Sequence, residues 1–142
     1  MFDDYFNILL KELNKCLNTN DVPVAALLIR DNKVEFKARN VREKNKDIAG
    51  HAEIKVINKC FLRQKSKNMS EYKMVVSLQP CFMCIAAMEQ SNIKEVYFYL
   101  NNKKCDYENL KTKLKMIKLE NKERCKVLEN MLVSFFQNLR KN

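Results

Sequence analysis

The chain has a single histidine, His51, which stands two residues before Glu53, and further on it reads Pro80-Cys81-Phe82-Met83-Cys84. One imidazole and two thiolates can hold a tetrahedral zinc, and three protein ligands leave its fourth position open, as a catalytic site requires. Residues two apart on a helix do not share a face, so Glu53 is not expected to join His51 on the metal. It is placed instead to take a proton from zinc-bound water, whose pKa falls from about 15.7 toward about 7. Each half of this pattern has plainer readings. A lone Cys-x-x-Cys can be a redox pair, half a zinc knuckle or helix packing, and a lone histidine can simply satisfy a hydrogen bond. A thioredoxin-like redox pair would follow the first strand, and a structural zinc would need a fourth ligand, for which Cys105 is the candidate. Cys16, Cys60 and Cys125 fall on apolar helix faces and read as small core residues.

These residues need elements to bring them together. Phe6, Leu9, Leu10, Leu13 and Leu17 recur at helical spacing behind Asp3 and Asp4, which predicts an amphipathic helix over 4–18. Val24 to Ile29 is continuously apolar, as a strand covered on both faces would be, and Asp31-Asn32-Lys33 turns it into a second strand, Val34 to Arg39. Residues 40–50 read as a loop leading into a helix from His51 to Gln64, with Ile54, Ile57 and Phe61 inward. Tyr72 to Leu78 reads as a third strand, Cys81 to about Gln90 as a helix entered through Pro80, and Lys94 to Leu100 as a fourth strand. After a polar, basic stretch over 101–113, Leu114 to Leu119 alternates as a fifth strand, and Cys125, Leu128, Leu132, Phe135 and Leu139 mark a closing helix. The alternation predicts an α/β fold, a three-layer α/β/α sandwich around a five-stranded mixed sheet. Both parts of the metal pattern then fall at helix starts, where free N–H groups and the helix dipole favour thiolates.

With 142 residues and no repeat or linker, the chain is expected to form one domain over 1–142. No stretch approaches the roughly 20 apolar residues of a membrane-spanning helix, and the acidic start Met1-Phe2-Asp3-Asp4 does not read as an export signal, so a cytoplasmic location is expected. Without an export signal, the six cysteines suit metal binding and packing better than disulfides. Lysine and arginine outnumber aspartate and glutamate by 27 to 17, a net charge of +10. That excess suits a partner carrying phosphates, and it is equally what a lysine- and asparagine-rich composition would produce.

Four stretches carry a resemblance: Asp21-Val22-Pro23-Val24-Ala25-Ala26; Asn40, then Asp47, then His51-Ala52-Glu53-Ile54; Leu78 to Met88 with Ser91, Ile93 and Val96-Tyr97-Phe98; and the pair Phe135-Phe136. By them the chain resembles the cytidine deaminase-like superfamily of zinc nucleobase deaminases. Within it, the chain is similar over most of its length to the bacterial tRNA adenosine deaminase family. The resemblance implies one zinc on His51, Cys81 and Cys84, and Glu53 as the proton shuttle. It also implies Asn40 on the purine, Val24 and Ala52 lining the base pocket, and a homodimer acting on a tRNA anticodon loop, at adenosine34 of arginine tRNA. Lys103, Lys104, Lys111, Lys113, Arg140 and Lys141 are candidate phosphate contacts, each equally readable as solvated surface. Relatives with the same zinc motif deaminate free bases or nucleotides such as guanine, cytosine or deoxycytidylate, and a non-catalytic RNA-binding subunit with structural zinc is a third reading. The sequence departs from the family pattern where Gln79 replaces a Glu, Ile48-Ala49-Gly50 replaces Pro-Thr-Ala and Asn92 replaces an Arg. The stretch after Tyr99 is also shorter and glycine-free.

Overall fold

The computed structural model describes residues 3–141. The elements are α1 (Asp3–Asn18), β1 (Ala25–Arg30), β2 (Lys33–Arg39), α2 (Arg42–Asn45), α3 (Ala52–Gln64), β3 (Lys73–Leu78), α4 (Phe82–Gln90), β4 (Glu95–Leu100), β5 (Lys115–Lys118) and α5 (Lys122–Lys141). The strands form a five-stranded sheet in the order β2-β1-β3-β4-β5. Pairing is antiparallel from β2 through β1 to β3 and parallel from β3 through β4 to β5.

The apolar run of β1 is buried on both sides, and its alternation divides the core in two. Ala25, Leu27 and Ile29 pack with Tyr5, Leu9 and Leu13 of α1 and Leu128 of α5. Ala26 and Leu28 point the other way, into a cluster with Val56 and Cys60 of α3 and Ile85 and Met88 of α4. The sheet is therefore covered by α1 and α5 on one face and by α3 and α4 on the other, the expected three layers. Asp31 and Asn32 close the first hairpin with φ of 52° and 61°, a left-handed pair that short polar side chains tolerate.

The mixed pairing gathers several chain segments at one end of the sheet. Because β1 runs against both neighbours, its start lies beside the end of β2, where Asn40 N–H donates to Val24 O at 2.9 Å, and toward the end of β3. Leu78 pairs in turn with Leu100 at the end of β4. The starts of α3 and α4 follow the same end, so the chemistry-bearing residues converge there.

The structure differs from expectation within residues 40–50, where α2 forms a single short helix. Its first N–H groups are satisfied from outside: Arg42 N–H donates to Asn40 Oδ1 at 3.0 Å and Glu43 N–H to Asp21 Oδ1 at 2.5 Å. Those contacts replace the capping that its own sequence does not supply. Cys16 and Cys60 are buried as expected, and Cys16 also donates to Val24 O and Asn40 O, tying α1 to the strand ends. Cys125 is half-buried and donates to Tyr99 O at 3.3 Å. Among the described residues no helix is long and apolar enough to cross a membrane.

Candidate metal centre and cleft

His51 and Cys81 are the N-cap residues of α3 and α4, both with extended backbone (φ −74° and −73°), and neither side chain makes a cap hydrogen bond. Helix starts prefer Ser, Thr, Asp or Asn, so each arrangement gives up about 1 kcal/mol of capping. Instead both side chains turn toward one point. His51 Nδ1 lies 3.5 Å from Cys81 Sγ and 3.5 Å from Cys84 Sγ, and the two sulfurs are 3.6 Å apart. Zinc arms of about 2.3 Å to sulfur and about 2.0–2.1 Å to nitrogen at tetrahedral angles would set these separations near ~3.8 and ~3.6 Å. The triangle would thus fit one face of a zinc tetrahedron. Cys105, the alternative fourth ligand, stands outside this group of ligand atoms and lines the cleft beside it.

The protons of the trio are shared as close packing dictates. A hydrogen bond from the Cys84 thiol, followed in weight by His51, lowers Cys81 to about 4. The same bond, with burial, raises Cys84, and the contact with Cys81 raises His51. Two sulfurs this close do not both ionise unaided, and a divalent cation between them would displace the remaining proton.

Glu53, in the first turn of α3, is only 3 % exposed. Burial pushes its carboxyl up to about 7. A carboxyl poised near neutrality beside a metal centre can both take and return a proton.

His51, Cys81 and Glu53 border a cleft of about 600 Å³, within the size range of small-ligand sites, and Cys84 is buried behind them. Val24, Asn40 and Ala52, which the family resemblance implies at the base pocket, are among the cleft's lining residues. Asn40 is held on both sides, its Nδ2 donating to Val22 O at 3.1 Å and its Oδ1 accepting from Arg42 N–H. Of the cationic candidates, Lys103 and Lys104 are on the cleft wall, whereas Lys111, Lys113 and Arg140 are exposed and not part of its lining. The side chain of Lys141 lies outside the described residues.

Sequence reasoning missed Asp21, Arg42, Asn102, Leu132 and Phe136 as lining residues. Asp21 is fully buried, accepting from the Thr19 hydroxyl at 2.6 Å and lying 3.6 Å from Arg39. A charged residue four positions ahead of a buried apolar strand was the available signal for it. Phe136, the outer member of the Phe135–Phe136 pair, supplies an aromatic wall, while Phe135 is buried.

Gly50, just before His51, makes a close approach. Its carbonyl accepts from Val41 N–H at 2.8 Å, and a Cβ there would meet Asp47 O at 2.9 Å and Arg42 Cα and N at 3.0 Å.

Comparison with known proteins is consistent with this geometry. Residues 2–100 match the family described as the cytidine and deoxycytidylate deaminase zinc-binding region. The chain is 36% identical over 97 residues to a tRNA-specific adenosine deaminase of Rickettsia bellii, covering 67% of each chain. It is 32% identical over 105 residues to one of Aquifex aeolicus, covering 73% of this chain and 70% of that one. Among solved structures it is similar to one from a study of A-to-I editing by tRNA:A34 deaminases, with a TM-score of 0.73 at 22% identity over 84% of this chain and 100% of that one. It is also similar to a guanine deaminase of Nitrosomonas europaea, with a TM-score of 0.71 at 14% identity over 90% and 82% of the two chains. At these identities the structural likenesses establish the shared fold.

Proposed function

We propose, since the chain belongs to the cytidine and deoxycytidylate deaminase zinc-binding family, that it hydrolyses the exocyclic amine of the wobble adenosine in a tRNA anticodon, yielding inosine and ammonia. One zinc ion per chain is held by His51, Cys81 and Cys84. When bound, the ion makes hydroxide available at neutral pH by lowering the pKa of its water to about 7. Glu53 takes a proton from the attacking water and gives it to N1 of the purine as oxygen joins C6. It then takes the remaining proton from the oxygen now on C6 and passes it to the departing nitrogen, so that the C6–N bond breaks, the C6 carbonyl of inosine forms and ammonia leaves. Val24 and Ala52 flank the base, and Asn40, fixed by its two backbone contacts, has a second Nδ2 hydrogen free for the purine edge.

The observation that carries this reading is the His51–Cys81–Cys84 triangle with buried Glu53 beside it, opening on a cleft large enough for one turned-out nucleotide. The choice of tRNA over a free base rests on the relatives at 32–36% identity. Lys103 and Lys104 would meet backbone phosphates beside the splayed base. The substrate is the arginine tRNA bearing adenosine at position 34. The whole chain acts as one deaminase domain in the cytoplasm and, in keeping with the family resemblance, as a homodimer.

The test is inosine formation in an arginine-tRNA anticodon stem-loop with wobble adenosine, using zinc-loaded protein beside its Glu53→Ala variant. Inosine from the native protein alone is the expected result. No inosine from protein carrying one zinc, with turnover of guanine, cytosine or deoxycytidylate instead, would replace the tRNA reading with a free-base or nucleotide deaminase.

A further inference from the structure

The segment joining β4 to β5, where this sequence is shorter than the family pattern and glycine-free, reaches back to the metal-binding turn. The Tyr107 hydroxyl donates to Pro80 O at 2.6 Å. Its ring meets Phe82 edge to face, with centroids 5.8 Å apart and planes at 84°. Both sequence neighbours of Cys81 are therefore held by one side chain. Tyr107 itself is seated: it packs with Leu110 against the core cluster that contains Cys84, Ile85 and Met88, and Leu110 N–H donates to Tyr107 O at 3.2 Å.

The carbonyl of Pro80 has a particular need of such a donor. The hydrogen bonds of α4 begin one residue later, with Ile85 N–H donating to Cys81 O, so Pro80 O precedes the helix ladder. The orientation of the Pro80–Cys81 peptide sets where the Cys81 side chain leaves the backbone. A rotation there swings Sγ away from Cys84 and His51, and metal ligands lose affinity on displacements of about 0.5 Å. Asn102 adds a weaker tie upstream, Nδ2 to Gln79 O at 3.4 Å.

We propose that Tyr107 is a positioning residue for the metal centre: through Pro80 and Phe82 it fixes the backbone on either side of Cys81, and so holds Cys81 Sγ on the ligand triangle. The proposal rests on the zinc assignment above but not on the identity of the substrate. Groups that orient metal ligands from outside the coordination sphere typically change metal affinity by about 10- to 100-fold.

Tyr107→Phe keeps the ring against Phe82 and removes the hydroxyl that donates to Pro80 and also meets the Cys105 side chain. Zinc affinity, measured by competition with a chromophoric chelator, is expected to fall by about 10- to 100-fold, and the cobalt-substituted protein is expected to show a shifted thiolate-to-metal absorption band. Tyr72→Phe, which removes a hydroxyl from Glu35 far from the cleft, is the control and is expected to leave both readouts at their native values. Native zinc affinity and an unchanged cobalt spectrum in Tyr107→Phe would overturn the proposal. So would loss of its native circular dichroism, since a local positioning role leaves the fold in place. If the native protein binds zinc and Tyr107→Phe weakens it, but no inosine forms, the substrate reading fails and the role of Tyr107 stands.

Discussion

The two walls of the cleft are made of different material. One consists of the starts of α3 and α4, where Ala52, Glu53 and Cys84 are buried and the ligand atoms sit 3.5–3.6 Å apart. The other is the connection after β4, where Lys103 and Lys104 are exposed on a chain segment without regular structure, together with Phe136 of α5. Coordination and proton transfer need separations fixed to tenths of an ångström, which only elements anchored in a close-packed core deliver. Attraction of phosphates by lysines acts across several ångström and tolerates change in the loop that carries it. The same difference fits where the family pattern is kept to the residue, at His51, Glu53, Cys81 and Cys84, and where the chain length itself differs, in the segment after Tyr99.

The difference is sharpest in what substitutions should do. At the first wall, Glu53→Gln is expected to lower kcat by about 10²–10⁴-fold while zinc content, measured by metal analysis, stays at one per chain. A variant that kept native kcat would show that precise placement of Glu53 is not what the buried wall provides. Next in size is Gly50→Ala. A Cβ would press on backbone atoms of Asp47 and Arg42 at 2.9–3.0 Å, so the loop must shift next to His51. An overpacking cost of about 1–3 kcal/mol, seen in thermal unfolding, should accompany weaker zinc binding. Ordinary stability and zinc affinity would mean that the α2 loop yields without moving His51.

At the second wall the effect should be smaller and of another kind. Lys103→Ala and Lys104→Ala are expected to raise KM for the anticodon stem-loop with kcat unchanged. Each should also reduce the salt dependence of binding by about 0.7 in the log–log slope. A fall in kcat with an unchanged salt slope would place these lysines on the chemical side and erase the contrast between the walls. Lys111→Ala, outside the cleft lining, should do neither.

The first wall was legible in the sequence because its signals are local. His-x-Glu and Pro-Cys-x-x-Cys each fit within one helix start, and the continuous apolar run of β1 announces a strand covered on both faces. What was not legible depends on contacts distant in sequence. The short helix α2 takes one of its two caps from Asn40 and the other from Asp21, 22 residues from Glu43, so residues 40–50 alone carry only half of its signal. Tyr107 finds its acceptor 27 residues away, at Pro80. Lys103 and Lys111 are indistinguishable by composition, and only the path of the chain after Leu100 puts one on the cleft wall and the other outside it. Periodicity likewise located α5 through Cys125 to Leu139, while the polar first turn from Lys122 carries no apolar signal.

The opposite end of the sheet tests whether the two walls are special at all. There Glu35 accepts from the Tyr72 hydroxyl at 2.7 Å and pairs with Arg30 at 3.0 Å, around a smaller cavity of about 360 Å³. The Tyr72 hydrogen bond, then Arg30, holds the Glu35 carboxyl below its ordinary value of 4.5. A carboxyl lowered in the folded state adds stability that is present above its unfolded pKa and is lost as pH falls through the lowered folded one. The gap in Tm between native protein and Glu35→Gln should therefore be open at pH 7 and close in acid, below about 4.5. Inosine formation and zinc affinity at neutral pH should stay native in Glu35→Gln, because no contact of this cluster reaches the metal triangle. A gap in Tm that persisted unchanged at low pH would mean that Glu35 acts by packing rather than by charge. A change in zinc affinity would mean that the two ends of the sheet are coupled, and that the first wall owes its geometry to more than the helix starts that form it.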